Sequence, residues 1–299
     1  MPAQCCSRSA QTTRCLASSF GLDPRGVSMH LFKVEQRCAM KTLLLLWLMP
    51  PCLAQAQWRL ESSTDAAPLG HGAAFVIKTV SGPAKAELKL VLFDEKDCQI
   101  RVVSNTDAKA ARSLDDIAHA EKALAVCNGG YFNAGGNFGP AGLEIAKGVR
   151  TDKFKGDGGL VGALMVRQDK ASLIWENEFR DSPDITEFIQ CSPWIVSDGR
   201  VVPVPPPKEP EQRNHRTFVM TDGNGHWGIG VCKRTGWLEL AHILVTPGII
   251  TEMKVQRALN LDGGPSAGLW CRSEDGREHF ETPGWAVRNA IVVVPRDSR

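Results

Sequence analysis

The stretch "ALNLDGGPSAGLW", residues 258–270, decides the fold. Gly264-Pro265-Ser266-Ala267-Gly268 has the spacing that presents a serine nucleophile, but that reading needs a strand before the serine and a helix after it. The strand is there, in "RALNLD". The helix is not, because "GLWCRSEDGREHF" (268–280) has a β-like start followed by a turn. In a serine hydrolase of that kind the acid and the histidine follow the serine along the chain. Only 33 residues remain after Ser266, and their one histidine, His279, stands four residues past Asp275. Pro265 also stiffens the turn where an elbow requires strained freedom. The segment therefore reads as strand, glycine-rich loop, strand, and Ser266 is not expected to be a nucleophile.

The rest of the chain follows the same pattern of short apolar runs with glycine punctuation. "AAFVIKTV" (73–80), "AELKLVLF" (86–93) and "QIRVVS" (99–104) predict strands. "SLDDIAHAEKAL" (113–124) predicts a helix capped by Ser113, with Asp116 three residues on, and "LAVC" another strand. Strands are expected at 143–147, 160–166, 171–175, 193–197, 216–222, 227–232 and 289–295, and a second helix over "GWLELAHILV" (236–245). The expected class is α+β, a strand-rich mixed-sheet domain with a few packed helices. "VPVPPPKEP" (202–210) is an extended Pro-rich loop, long enough for a flap over a site or for a plain surface connector.

Residues 40–58, "MKTLLLLWLMPPCLAQAQW", combine a lysine, an apolar run and Ala54-Gln55-Ala56. This is the layout of a secretory signal peptide, with cleavage expected after Ala56. The run is too short to span a bilayer, and Cys52 lacks the context of a lipidation site, so no stable membrane anchor is expected after cleavage. Residues 1–39 then stand in front of a complete signal. They read as a misassigned start, with Met40 the true one, or as a disordered extension. The expected product is one domain over 57–299, secreted or periplasmic.

With 43% hydrophobic and 23% charged residues the chain has ordinary globular composition, which argues against a disordered chain. Residues 1–39 hold five Lys and Arg against two Asp and Glu, so of the formal +2 they account for +3 and the rest carries −1. Such a surface has no basic field for nucleic acid. Five cysteines lie beyond the cleavage point: Cys98, Cys127, Cys191, Cys232 and Cys271. None forms a CxxC, and Cys127, after the apolar "ALAV", reads as a buried thiol.

Asp262 ends a strand before two glycines. On this segment alone it reads as the aspartate of an Asp-Gly turn. Three other segments change the weighting: "CNGGYFNAGGNFGPAGLEIAKG" (127–148), "CSPWIVSDGRVV" (191–202) and "NHRTFVMTDGNGHWGIGV" (214–231). With 258–270, they resemble in order the phosphodiester glycosidase family. That family shows Asn-Gly-Gly-Phe-Phe, Pro-x-Gly-Leu, a Pro-containing strand before Asp-Gly, Arg-Thr opening a strand, and Asn-Leu-Asp-Gly-Gly-Gly-Ser-Ser. The likeness runs from about Ala73 to Pro295. Tyr131 replaces a phenylalanine, Pro265 the third glycine and Ala267 a hydroxyl.

The resemblance implies a hydrolase that cleaves the glycosidic bond of a sugar-1-phosphodiester, carried by a small molecule or a glycan. It implies catalytic roles for Asp262, as nucleophile, base or oxocarbenium stabiliser, for Arg216, as phosphate holder, and for Asn128. Substrate contacts are expected from the amides of Gly129, Gly130, Gly263 and Gly264 and from Tyr131, Thr217 and Ser266. Glu144 is either a second carboxylate of the site or an exposed strand glutamate. No cofactor is called for, with a divalent metal left open. The rival reading is a non-catalytic glycan- or cell-wall-binding protein on the same scaffold; it could dispense with the carboxylate.

Overall fold

The computed structural model describes residues 57–203 and 213–296, which lie within one compact unit, Pro51–Arg299. The extension at 1–39, the signal at 40–56 and most of the Pro-rich loop lie outside the described residues. Among the described residues, no helix is long and apolar enough to cross a membrane.

The described residues build three sheets. The largest has nine strands, and its centre runs Ala73–Ser81, Lys85–Asp94, His226–Thr235, Asn214–Thr221, Arg257–Asn260, Trp194–Ser197. A five-stranded sheet runs Lys170–Trp175, Gly162–Arg167, Ile185–Cys191, Glu144–Ala146, Val149–Thr151. The other five-stranded sheet runs Glu278–Glu281, Leu269–Arg272, Ala125–Asn128, Asn289–Pro295, Cys98–Ser104. A core of buried side chains joins all three, with Val91, Ile229 and Leu259 from the first, Leu164 and Ile189 from the second and Cys127, Leu269 and Ile291 from the third. The expectation of a strand-rich domain holds, with one correction. The strand pairings are antiparallel rather than mixed. Antiparallel strands need only tight turns between them, which fits the frequent Asp-Gly and Gly-rich punctuation and the scarcity of helices.

Two α-helices are present among the described residues. The first, Leu114–Glu121, carries a complete capping box: Ser113 Oγ accepts the Asp116 N–H and the Asp116 carboxylate accepts the Ser113 N–H, each at 3.3 Å. It ends three residues short of the expected Leu124, because Lys122 turns left-handed at φ 52°. Its Leu114, Ile117 and Ala118 pack on the outer face of the third sheet, against Val126, Trp270 and Val292. The second helix, Trp237–Val245, buries Leu240, Ala241, Ile243 and Leu244 against the large sheet.

All five described cysteines are buried free thiols, and burial pushes Cys98 up to about 11 and Cys191, Cys232 and Cys271 up to about 12. They behave as small core hydrophobes.

One strand of each sheet ends at a common point. Ala125–Asn128, Ile185–Cys191 and Arg257–Asn260 run into loops that bond to one another: Asp262 N–H to Gly129 O at 3.0 Å, Tyr131 Oη to Ser192 O at 2.7 Å, and Asn260 N–H to Pro193 O at 3.0 Å.

Candidate active site

Asp262 stands where this junction opens. Its backbone is pinned from both sides, the N–H by Gly129 O and the C=O by Asn128 Nδ2 at 2.7 Å. Its half-buried carboxylate accepts the Gly263 N–H at 2.9 Å through Oδ1. Burial raises its pKa above the usual carboxylate range, while the Ser266 hydroxyl and the Gly263 amide pull it back. Gly263 has to be glycine: a Cβ there would lie 2.7 Å from the His215 carbonyl oxygen. Gly264 follows at φ 58°, with open space where its Cβ would be.

Asn128 is buried and its side chain is fully engaged. Besides the bond to Asp262, its Oδ1 accepts the Thr217 hydroxyl at 2.6 Å and the Gly268 N–H at 2.9 Å. Asn128 therefore holds the aspartate's backbone in place. Thr217, fully buried, anchors Asn128 in turn.

The amides of the Gly129-Gly130 pair are bonded within the protein: Gly129 N–H donates to Asn289 O at 2.9 Å and Gly130 N–H to Asn289 Oδ1 at 2.8 Å. A Cβ at Gly129 would overlap Asn289 Oδ1, so the glycine serves close backbone approach. Asn289 Nδ2 is held by Glu144 Oε2. Glu144 is neither exposed nor open to substrate, being 1% exposed. Its carboxylate pairs with Arg288 at 2.8 Å and accepts the Ser104 hydroxyl at 2.7 Å. The chain Arg288–Glu144–Asn289–Gly130 is a buried brace behind the loop that receives Asp262.

Arg216 is buried beside this loop. Its guanidinium carbon lies 4.6 Å from the Trp237 ring centroid and its Nε donates to Thr235 O at 3.1 Å. Leu261 N–H bonds Thr217 O at 2.8 Å, and the Cβ position of Gly263 is 3.7 Å from Arg216 Cδ. Asp262 thus lies two residues past the end of Arg257–Asn260, in the loop that runs beside Arg216 at the start of Asn214–Thr221. Tyr131 lines the same corner, with its hydroxyl donating to Ser192 O and accepting from Asn260 Nδ2 at 3.2 Å. Burial pushes its phenol up; the Asp262 charge adds to the rise and Arg216 opposes it.

Ser266 is fully buried, and its Oγ accepts the Trp285 indole N–H at 2.7 Å. A short 3-10 turn, Gly264–Ser266, follows Asp262 in place of an elbow helix. His279 stacks on Phe75 at 4.4 Å in another part of the third sheet.

Residue-by-residue reading missed Asn289, Arg288 and Trp285. The polar pair Arg288-Asn289 at the mouth of the apolar strand "NAIVVVP" was the available signal. Among the described residues no group of three or more His, Cys, Asp or Glu side chains is arranged to hold a metal ion.

The family model described as phosphodiester glycosidase matches residues 121–294. No curated protein sequence matches the chain. The solved structures that share its fold include the following two. One is the catalytic domain of zebrafish N-acetylglucosamine-1-phosphodiester alpha-N-acetylglucosaminidase, auto-inhibited by its pro-peptide. It has 15% identity over 79% of this chain and 88% of that one, with a TM-score of 0.55. The other is a hypothetical protein from Synechocystis, at 15% identity over 75% of this chain and 62% of that one, with a TM-score of 0.51. Asn128, Arg216, Asp262 and Asn289 all fall inside the matched span, and the chain belongs to the phosphodiester glycosidase family.

Proposed function

We propose that the protein is an exported hydrolase that cleaves the glycosidic bond of a sugar-1-phosphodiester, with Asp262 as the key carboxylate and Arg216 as the phosphate holder. The observation that carries this reading is a half-buried carboxylate, pinned by its backbone in a loop whose Gly263 lies against the buried Arg216.

Ordinary glycosidases set two carboxylates about the scissile bond, because an alkoxide leaving group needs a proton. Here the carboxylate of Glu144, the other acid considered for the site, is tied up by Arg288. A phosphodiester relaxes that requirement. Its anomeric C–O bond can break with the electron pair leaving on a phosphate oxygen that is already weakly basic. Asp262 supplies negative charge to the oxocarbenium-like centre, directly as nucleophile or as base for the incoming water. Arg216, charged at any working pH, supports the departing phosphate. Water ends on C1, its proton goes to solvent, and the products are a free sugar and a phosphomonoester. No cofactor enters the balance.

A panel of sugar-1-phosphodiesters read by mass spectrometry tests the reading. Release of free sugar together with the matching phosphomonoester is expected for at least one member. Binding without turnover across the panel would instead favour the glycan-binding alternative. Export is tested by N-terminal sequencing of the mature protein, which should begin near Gln57.

A further inference from the structure

A cleft of about 420 Å³ opens beside the Asp262 loop, between the start of the first helix, the strand pair Leu269–Arg272 and Glu278–Glu281, and the loop at 282–287. Its size is that of small-molecule sites. Two of the large exposed hydrophobic side chains line it, Phe280 at 59% and Trp285 at 48% exposure. Phe280 is paired directly across the strands from Trp270, and both line the cleft together with Pro283. Arg112 and Asp115, both exposed, stand among the lining residues on the helix side.

The cleft is joined to the candidate active site by two bonds. Trp285 Nε1 donates to Ser266 Oγ at 2.7 Å, and Gly284 N–H donates to Pro265 O at 2.7 Å. The first fixes an exposed indole ring in place, so little motion is lost when a ligand lies on it. Ser266 is itself the residue whose hydroxyl stabilises the Asp262 carboxylate. The indole edge is therefore two side chains from the reacting group.

We propose that this cleft is a sugar subsite that binds a further glycan unit of the substrate, the ring stacking on Trp285 and Phe280. The inference rests on the phosphodiester glycosidase reading of Asp262. A pyranose presents C–H faces to aromatic rings and hydroxyls around its edge, and the lining offers both kinds of partner: aromatic planes, and the guanidinium of Arg112 with the carboxylate of Asp115. An acyl chain would satisfy the aromatics and leave Arg112 and Asp115 without a match.

The test is a titration read by indole N–H resonances. The chain has eight tryptophans, so Trp285 and Trp270 are assigned by the signals that disappear in Trp285→Phe and Trp270→Phe. Chitotetraose, mannotetraose and maltotetraose are added to wild type, to Asp262→Asn and to Phe280→Ala. At least one tetrasaccharide should shift the Trp285 and Trp270 signals saturably in wild type and in Asp262→Asn alike, and bind about tenfold more weakly to Phe280→Ala. The subsite is overturned if no tetrasaccharide moves either signal while a methyl sugar-1-phosphodiester is hydrolysed. It is overturned equally if the signals answer to monomeric dodecanoate and to no sugar. Saturable sugar binding without any hydrolysis would keep the subsite and remove the proposed reaction, so the two failures are distinct.

Discussion

The Asn128 side-chain amide donates to the backbone carbonyl of Asp262 at 2.7 Å, across 134 residues of sequence. This bond ties the end of a strand in one sheet to the loop after a strand in another. The same side chain also satisfies Thr217 and Gly268, so it is the hub of the junction.

Replacing Asn128 with Asp should therefore lower kcat far more than it alters KM. The isosteric change keeps the acceptor for Thr217 and Gly268 but turns a second oxygen toward the Asp262 carbonyl. A displaced carboxylate of this kind costs roughly ten- to a hundredfold in rate. Steady-state kinetics on a sugar-1-phosphodiester measure it. A change confined to KM would mean that Asn128 contacts the substrate after all.

Ser266→Ala should leave substantial activity and move the acidic limb of the pH profile upward. Burial already places Asp262 above the usual carboxylate range, and the Ser266 hydroxyl lowers it by stabilising the charged form. Removing the hydroxyl raises the pKa further, so activity, which needs the carboxylate, is lost at a higher pH as the solution is acidified. Loss of activity at every pH, or labelling of Ser266 by a fluorophosphonate, would restore the nucleophile reading.

Most of the fold and one part of the site were legible in the sequence, for physical reasons that particular segments make plain. Strands such as Ala73–Ser81 and Asn289–Pro295 are apolar runs between turns and can be read directly. Ile185–Cys191 could not, because Glu187 and Gln190 break its apolar pattern. Both are buried and satisfied by bonds to backbone of other segments, Glu187 by the Val102 and Lys147 N–H groups and Gln190 by Leu160 O. The edge strand Glu278–Glu281 is polar because it is partly solvated. In the site, the residue types were visible and their division of labour was not. An Asn-Gly-Gly motif looks the same whether its amides face a ligand or a neighbouring asparagine, and only the three-dimensional partner, Asn289, decides.

Glu144 offers a test of that division. In the structure it neutralises buried Arg288 and holds Asn289. Glu144→Ala should cost about 3–5 kcal/mol of stability by leaving a buried cation unpaired. Thermal or denaturant unfolding measures the loss. A fully stable Glu144→Ala that lacks only activity would place the carboxylate in substrate contact instead.

Glu187 gives a pH dependence remote from the chemistry. Burial raises its pKa to about 7, against the pull of the Lys147 and Val102 N–H groups. With the folded value above the unfolded one, its stabilising contribution is full below the ordinary glutamate range and is lost as pH rises toward 7. Glu187→Gln keeps an acceptor for both amides and cannot ionise. Relative to wild type it should gain about 2 kcal/mol between pH 5 and pH 8, allowing for solvent screening. Parallel stability curves for the two proteins would show that Glu187 does not titrate in this window.

The most direct test of the central claim is the turnover of a sugar-1-phosphodiester by Asp262→Asn. Asparagine keeps the volume and can still accept the Gly263 N–H, so the loop should stay in place, which circular dichroism and unfolding would check. What disappears is the negative charge facing the oxocarbenium-like centre, worth on the order of 3–4 kcal/mol, or a factor of 100 or more in rate. A folded Asp262→Asn with at most one-hundredth of wild-type kcat is the predicted result. A folded variant that turns over like wild type would make Asp262 a turn residue and contradict the mechanism.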